Sequence, residues 1–297
     1  MERKALFVNN FTEKLSNSFP FELALNNYDK VFAFNANNLP EGLILFPREV
    51  LIKNIALGNP WIRDHNFCFA GKNFQKTDEH GHPYFLNTYL KESNNIKFEN
   101  IPFQIQGGQA LETKRHLFLS ESILTRNKKF RANEIIDFFK NRTEKDVIFV
   151  PEMKSIFWSY HLDLLCCNFE NLIFIADPFL IPNQLDLSSK TAMQQDLSFY
   201  KNFFNNHGYE IHSLPLLLKN EKDKPNFITF ANSLIIDQNM ILAVPEGLAD
   251  DHFGGEAIWQ ANQTAEENNL KIKLCPLPNQ LLGKNGFMHC LSSELNI

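Results

Sequence analysis

The chain has 297 residues, 44% hydrophobic and 21% charged, with 29 Lys and Arg against 34 Asp and Glu for a formal charge of −5. This is ordinary globular usage, which excludes a disordered chain, and the mild acidic balance leaves no electrostatic footprint for nucleic acid or an anionic membrane. No run of about 18 apolar residues occurs, so no transmembrane helix is expected. The opening Met1-Glu-Arg-Lys-Ala-Leu-Phe-Val8 gives way to Asn9 and Asn10 too soon for a signal-peptide core. A cytoplasmic product is expected, with export by a route independent of such a signal left open. The five cysteines, odd in number and with Cys166 and Cys167 adjacent, fit a reducing compartment better than a disulfide framework.

In chain order, short strand-like runs recur between Asn, Asp, Gly and Pro punctuation. Leu6-Phe-Val8, Val31-Phe-Ala-Phe34 and Leu43-Ile-Leu-Phe46 come first, then Phe67-Cys-Phe69, Leu117-Phe-Leu119 and Val147-Ile-Phe-Val150. His161 to Cys166 and Leu172-Ile-Phe-Ile175 follow, then Phe227 to Ile236, Met240-Ile-Leu-Ala-Val244, Lys271-Ile-Lys-Leu274 and Phe287 to Leu291. Helical periodicity predicts three helices. Ala132 to Lys140 places Ile135, Ile136, Phe138 and Phe139 on one stripe, Thr191 to Asn206 does the same with Met193, Leu197, Tyr200, Phe203 and Phe204 before Gly208, and Glu256 to Asn269 has a polar face. The polar stretches Lys72 to His82 and Leu218 to Asn226 read as surface loops. Strands interleaved with helices indicate an α/β or α+β chain, and no linker divides it, so residues 1–297 read as one domain.

Four separated pieces carry candidate chemistry. The first is Asn59-Pro-Trp-Ile-Arg-Asp64 and the second Gln104-Ile-Gln-Gly-Gly108; the third is His161-Leu-Asp163 and the fourth His289-Cys290. Cys290 follows a Gly-containing turn and is the candidate nucleophile. A thiol reacts only as thiolate, so it needs a base or a positive neighbour. His289 would point to the opposite face of a strand, whereas period-2 geometry would put His161 and Asp163 on one face. Taken singly, each piece also fits a structural role. Cys290 fits a buried core thiol, Asp64 a cap, Trp61 a core ring, Gly107-Gly108 a turn, and His161 with Asp163 a satisfied polar pair. Asp78, Glu79, His80 and His82 read as a solvated loop, since nothing nearby fixes a metal's geometry. Lys128, Lys129 and Arg131 read as a solvated helix start.

Taken together and in this order, the four pieces resemble the guanidino-group-modifying, or pentein, superfamily, nearest its agmatine deiminase and bacterial peptidylarginine deiminase branch. That branch carries Trp-x-Arg-Asp, then Glu-Gly-Gly, then His-x-Asp, then a C-terminal Gly-x-x-His-Cys-like segment. Phe230-Ala-Asn-Ser-Leu-Ile235 before Val244-Pro245 also looks like a family segment. The resemblance implies a closed ring of five ββαβ modules around a central site. It implies Cys290 as nucleophile and His161 as general acid/base. Asp64 and Asp163 would grip the guanidinium, with Gln106, Trp61 and Arg63 also on the substrate side. It implies a deiminase acting on a guanidino compound or an arginine side chain, with no metal or organic cofactor. An amidinotransferase sharing the covalent intermediate, and a pentein-like binding protein with a lapsed site, stand as alternatives. The chain departs from the pattern at Gln106, where the family has Glu, and at His65-Asn66, where the branch has a Gly-Pro-like turn.

Overall fold

The computed structural model describes residues 4–8, 19–33, 40–45, 66–75, 85–182, 187–221, 224–277, 289 and 292–296. The chain divides into two compact units, Met1–Phe149 with His289–Ile297, and Val150–Met288.

In the first unit the described elements are β1 (Lys4–Val8), α1 (Phe21–Asn27), β2 (Lys30–Ala33), β3 (Ile44–Leu45), β4 (Asn66–Phe69), β5 (Lys72–Gln75), α2 (Phe85–Asn94) and β6 (Glu99–Asn100). They continue with β7 (Ala110–Glu112), β8 (His116–Ser120), α3 (Ser122–Arg126), α4 (Ala132–Thr143) and β9 (Asp146–Val150). In the second unit come α5 (Leu162–Leu165), β10 (Cys166–Phe169), β11 (Leu172–Asp177), α6 (Leu187–Asn206), β12 (Glu210–Glu221), β13 (Lys224–Thr229), β14 (Leu234–Ile236), β15 (Asn239–Pro245), α7 (His252–Glu267) and β16 (Lys271–Leu277). The last strand, β17 (Ser292–Asn296), returns to the first unit and pairs antiparallel with β1.

Among the described residues these strands form five small sheets, ordered β17-β1-β2-β3, β4-β5-β6, β7-β8-β9, β10-β11-β12-β13 and β14-β15-β16. One plan recurs in them: an antiparallel pair, a connection bearing a helix, and a return strand beside the second member of the pair. The return is parallel for β1 with β2, β5 with β6, β11 with β12 and β15 with β16. A parallel return needs a crossover, and the helix supplies it.

Phenylalanine fills much of the first unit's core. Phe67, Phe69, Phe74, Phe103 and Phe139 are buried in one cluster with Ile101, Ile105, Leu117, Leu119 and Ile135. Edge-on contacts, such as Phe69 to Phe139 at 6.0 Å and Phe103 to Phe139 at 5.6 Å, suit the ring quadrupole. A second cluster places Phe7 flat on Phe32, ring centres 4.5 Å apart, in the β1–β2 register. In α4 the buried line is Ile135 and Phe139, one turn apart, with Ile136 and Phe138 packed at the margin of the cluster. In α6 it is Met193, Leu197, Tyr200 and Phe204, and Gly208 ends the helix at φ +85°. The α7 line is small: Ala257, Ala261 and Ala265 are fully buried, and a Cβ on Gly254 would lie 2.0 Å from the Leu248 carbonyl oxygen. That helix therefore packs with its backbone close to its neighbours, which only small residues permit.

Four sequence expectations are corrected here. Lys72 to His82 is not all loop: Ala70 and Gly71, both at positive φ, reverse the chain into β5, and the residues from 76 to 82 lie outside the described residues. Asn73 and Gln75 of β5 are buried because they have partners, Asn73 donating to the Lys97 carbonyl at 3.2 Å and Gln75 to Asn100 at 2.6 Å. Leu218 to Asn226 is likewise no loop but the tip of the β12–β13 hairpin, paired from Leu218 with Phe227 to Glu221 with Lys224. A backbone ladder does not require apolar side chains. The run Phe227 to Ile236 is two strands, β13 and β14, separated by a bend at 230–233. His161 to Cys166 is a helical turn that becomes a strand only at Cys166.

Candidate functional site

Ile156 to Tyr160 leads through a 3-10 turn into His161, whose backbone is extended at φ −114°, ψ 119° and caps α5. Its carbonyl accepts from the amides of Leu164 at 3.1 Å and Leu165 at 3.3 Å. Asp163 sits inside the turn. The shared strand face expected from the sequence is thus replaced by a cap-and-first-turn arrangement. Proximity survives: His161 Nδ1 is 3.9 Å from Asp163 Oδ1, and the carboxylate side chain is 1% exposed against 12% for the imidazole. At that distance the pair is an electrostatic neighbour rather than a direct hydrogen bond. The Tyr160 ring lies beside the imidazole, centres 4.7 Å apart.

The turn rests on buried polar groups from the end of β13 and the bend at 230–233 that follows it. The Asn232 side-chain amide donates to the Asp163 carbonyl at 2.9 Å, and the Thr229 hydroxyl donates to the Leu164 carbonyl at 3.0 Å. The Ser233 hydroxyl donates to Cys167 Sγ at 3.2 Å. Sequence reasoning missed Thr229, and it marked Asn232 only as part of the Phe230–Ile235 segment, without this role. Three polar residues within an otherwise apolar run were the available signal, because a buried polar group must be matched by a partner.

Three thiols of the second unit are held in the neutral form. Burial pushes Cys167 and Cys275 up to about 12, and burial, then Cys167 and Asp163, raises Cys166 well above the ordinary thiol range. None of them has the character of a nucleophile.

Gln106 belongs to the first unit. The Gly107–Gln109 turn that follows it is tightened by Gln109, whose Oε1 accepts from the Gln106 amide at 2.9 Å and whose Nε2 donates to Ser122 Oγ at 2.7 Å. Asn127 ties the same segment down through the Gln104 amide and carbonyl. The Gly pair is therefore a buried turn and offers no phosphate cradle. The Gln106 side-chain carbonyl accepts from Arg126 Nη1 at 2.8 Å, so a guanidinium of this chain already uses that oxygen. Of the remaining sequence-predicted site residues, Trp61, Arg63, Asp64 and Cys290 lie outside the described residues, as do Asp78, Glu79, His80 and His82.

No protein-family model matches the chain. No curated protein matches it either. Solved structures do. The agmatine deiminase of C. jejuni superposes with a TM-score of 0.69 at 15% identity, over 100% of this chain and 94% of that one. DDAH from Pseudomonas aeruginosa, a Cys-to-Ser mutant complexed with citrulline, gives 0.52 at 15% identity over 99% of this chain and 100% of that one. The chain is similar to these pentein enzymes in fold, with the α/β architecture that the resemblance implied.

Proposed function

We propose that the chain is a guanidino-group hydrolase of the deiminase type, built as one pentein catalytic domain across residues 1–297, its recurrent sheet units closing a five-module ring. The observation that carries the reading is the imidazole of His161 held 3.9 Å from the buried carboxylate of Asp163, in a chain whose fold is that of guanidino-modifying enzymes. Two of the similar structures are Cys-to-Ser mutants with substrate or citrulline bound, which supports a cysteine as the reacting group.

The chemistry assigns a role to each group. Asp64 and Asp163 orient the planar cation through charge-assisted hydrogen bonds. The Cys290 thiolate attacks the central carbon, forming a C–S bond and a tetrahedral adduct. His161 protonates the departing nitrogen as the C–N bond breaks and ammonia leaves. Water, giving its proton to the same imidazole, adds to the amidino carbon; the C–S bond breaks and a ureido product is released. Gln106, Trp61 and Arg63 stand on the substrate side. No metal is needed for these steps.

The test is incubation of the protein with a panel of guanidino compounds and an arginine-containing protein, scored by mass for ureido products and by ammonia released. Cys290→Ala should abolish turnover and leave the fold intact, and undiminished turnover in that variant overturns the mechanism. Stoichiometric ammonia without an acceptor amine separates the hydrolase from an amidinotransferase. A second reading, a binding protein on the same fold, draws support from the Gln106–Arg126 hydrogen bond, which leaves the position of the family acid neutral and engaged. It predicts no ureido product from any compound and no reaction of Cys290 with a haloacetamidine.

A further inference from the structure

The four-residue helix α5 has too few residues to be stable alone, and a helix end leaves its last carbonyls without intrahelical donors. At α5 the chain passes into β10 at Cys166, so the amides of Cys167 and Asn168 belong to a strand and are not placed as the fourth residues on from Asp163 and Leu164. Those two carbonyls are instead met by side chains from elsewhere in the sequence. Asn232 Nδ2 donates to Asp163 O at 2.9 Å, and Thr229 Oγ1 donates to Leu164 O at 3.0 Å. Thr229 Oγ1 also accepts from the Ala231 amide at 3.2 Å, which fixes the bend that presents Asn232. Both side chains are 1% exposed, so water is not at hand to replace a donor that is removed.

We infer that Asn232 and Thr229 are positioning residues that cap α5 from outside and so set where the Asp163 carboxylate and the His161 imidazole stand. This rests on the reading of His161 and Asp163 as reacting and substrate-binding groups. The two donors meet the turn at backbone oxygens. Their removal lets the turn rotate or fray without altering the chemical identity of either functional side chain.

The test compares full-length Asn232→Leu, Thr229→Val and Thr229→Ser with the natural protein. Steady-state kinetics are measured on whichever guanidino compound the natural protein turns over, and the His161 ring nitrogens are followed by NMR at one fixed pH. Misplaced reacting groups cost rate more than affinity, so Asn232→Leu should lower kcat by about 10- to 100-fold with KM within about 3-fold. Thr229→Val should lower kcat less, and Thr229→Ser, which keeps the hydroxyl, should match the natural protein. The His161 ring signals should move in the first two variants and not in the third. Natural kcat and natural ring signals in folded Asn232→Leu overturn the inference. If Asn232→Leu does not fold, the threonine pair decides: equal kcat and equal ring signals in Thr229→Val and Thr229→Ser overturn it. If the natural protein acts on no compound in the panel, the hydrolase reading falls, and the ring signals alone still decide whether Asn232 and Thr229 position His161.

Discussion

The Gln106 turn and the His161 turn are both tight reversals stapled by side-chain amides, yet they present their functional groups in opposite ways. At the first, the staple is internal to one stretch of sequence, Gln109 reaching Ser122, and the Gln106 oxygen is engaged by Arg126 at 2.8 Å. At the second, the staple comes from 69 residues away, and the group it steadies is a carboxylate only 1% exposed beside an imidazole. Neutral Gln106 has no charge to offer a cation, whereas a buried carboxylate is costly to keep unless something positive is brought to it. The difference leaves a buried negative charge at the His161 turn and a neutral, already engaged side chain at the Gln106 turn.

The comparison is broken most directly at His161. His161→Ala should reduce turnover of the preferred guanidino substrate by about 10²- to 10⁴-fold, the range for loss of a positioned general acid/base, while Gln106→Ala should cost no more than about 10-fold. Comparable losses measured as kcat for the two variants would abolish the contrast. The next effect is on stability. Gln109 is fully buried and serves as both donor and acceptor, so Gln109→Leu should cost about 2 kcal/mol in urea unfolding, the penalty of leaving buried polar groups unmatched.

Alkaline pH sharpens the contrast through the thiols. Burial raises the folded values of Cys167 and Cys275 to about 12 from an ordinary 9.0, and Cys166 is also raised well above the ordinary thiol range. A raised folded value means the unfolded chain releases its protons first. Stability from the neutral thiols is complete below pH 9 and is lost as pH rises from about 9 through about 12. Hydrogen exchange should show the amides of Leu164 and Leu165 losing protection in that window before those of the Gln106 turn, whose neighbours Gln109, Ser122 and Asn127 do not titrate. At neutral pH the same three thiols should resist iodoacetamide until the protein is denatured. The smallest effect belongs to Gln106→Glu, which would place an exposed ion pair with Arg126. Such pairs contribute about 0.5 kcal/mol, so its thermal midpoint should rise slightly at low salt and return to the natural value in high salt.

Much of the chain was legible from pattern alone. The stripe Met193, Leu197, Tyr200 and Phe204 announces α6 because a 3.6-residue period and a buried face are one fact, and Leu6-Phe-Val8 or Met240-Ile-Leu-Ala-Val244 announce strands by their punctuation. Two of the corrections share a cause. Lys72 to Gln75 and Leu218 to Asn226 read as loops because they are polar, yet polar residues enter a sheet when the opposite strand or a neighbouring carbonyl answers them. The candidate site shows the same division. His161 and Asp163 could be paired because only Leu162 lies between them, although the turn proved helical.

By itself the sequence determined which stretches bury an apolar face, that five cysteines suit a reducing compartment better than a disulfide framework, and which residue types could handle a guanidinium. These depend on composition and on neighbours within a few positions. Only the tertiary structure decided that Asn232 and Thr229 close the end of α5, that Arg126 occupies the Gln106 oxygen, and that Cys166, Cys167 and Cys275 are held neutral. Hydrogen-bond matching and desolvation depend on which distant segments meet, and no local pattern records that.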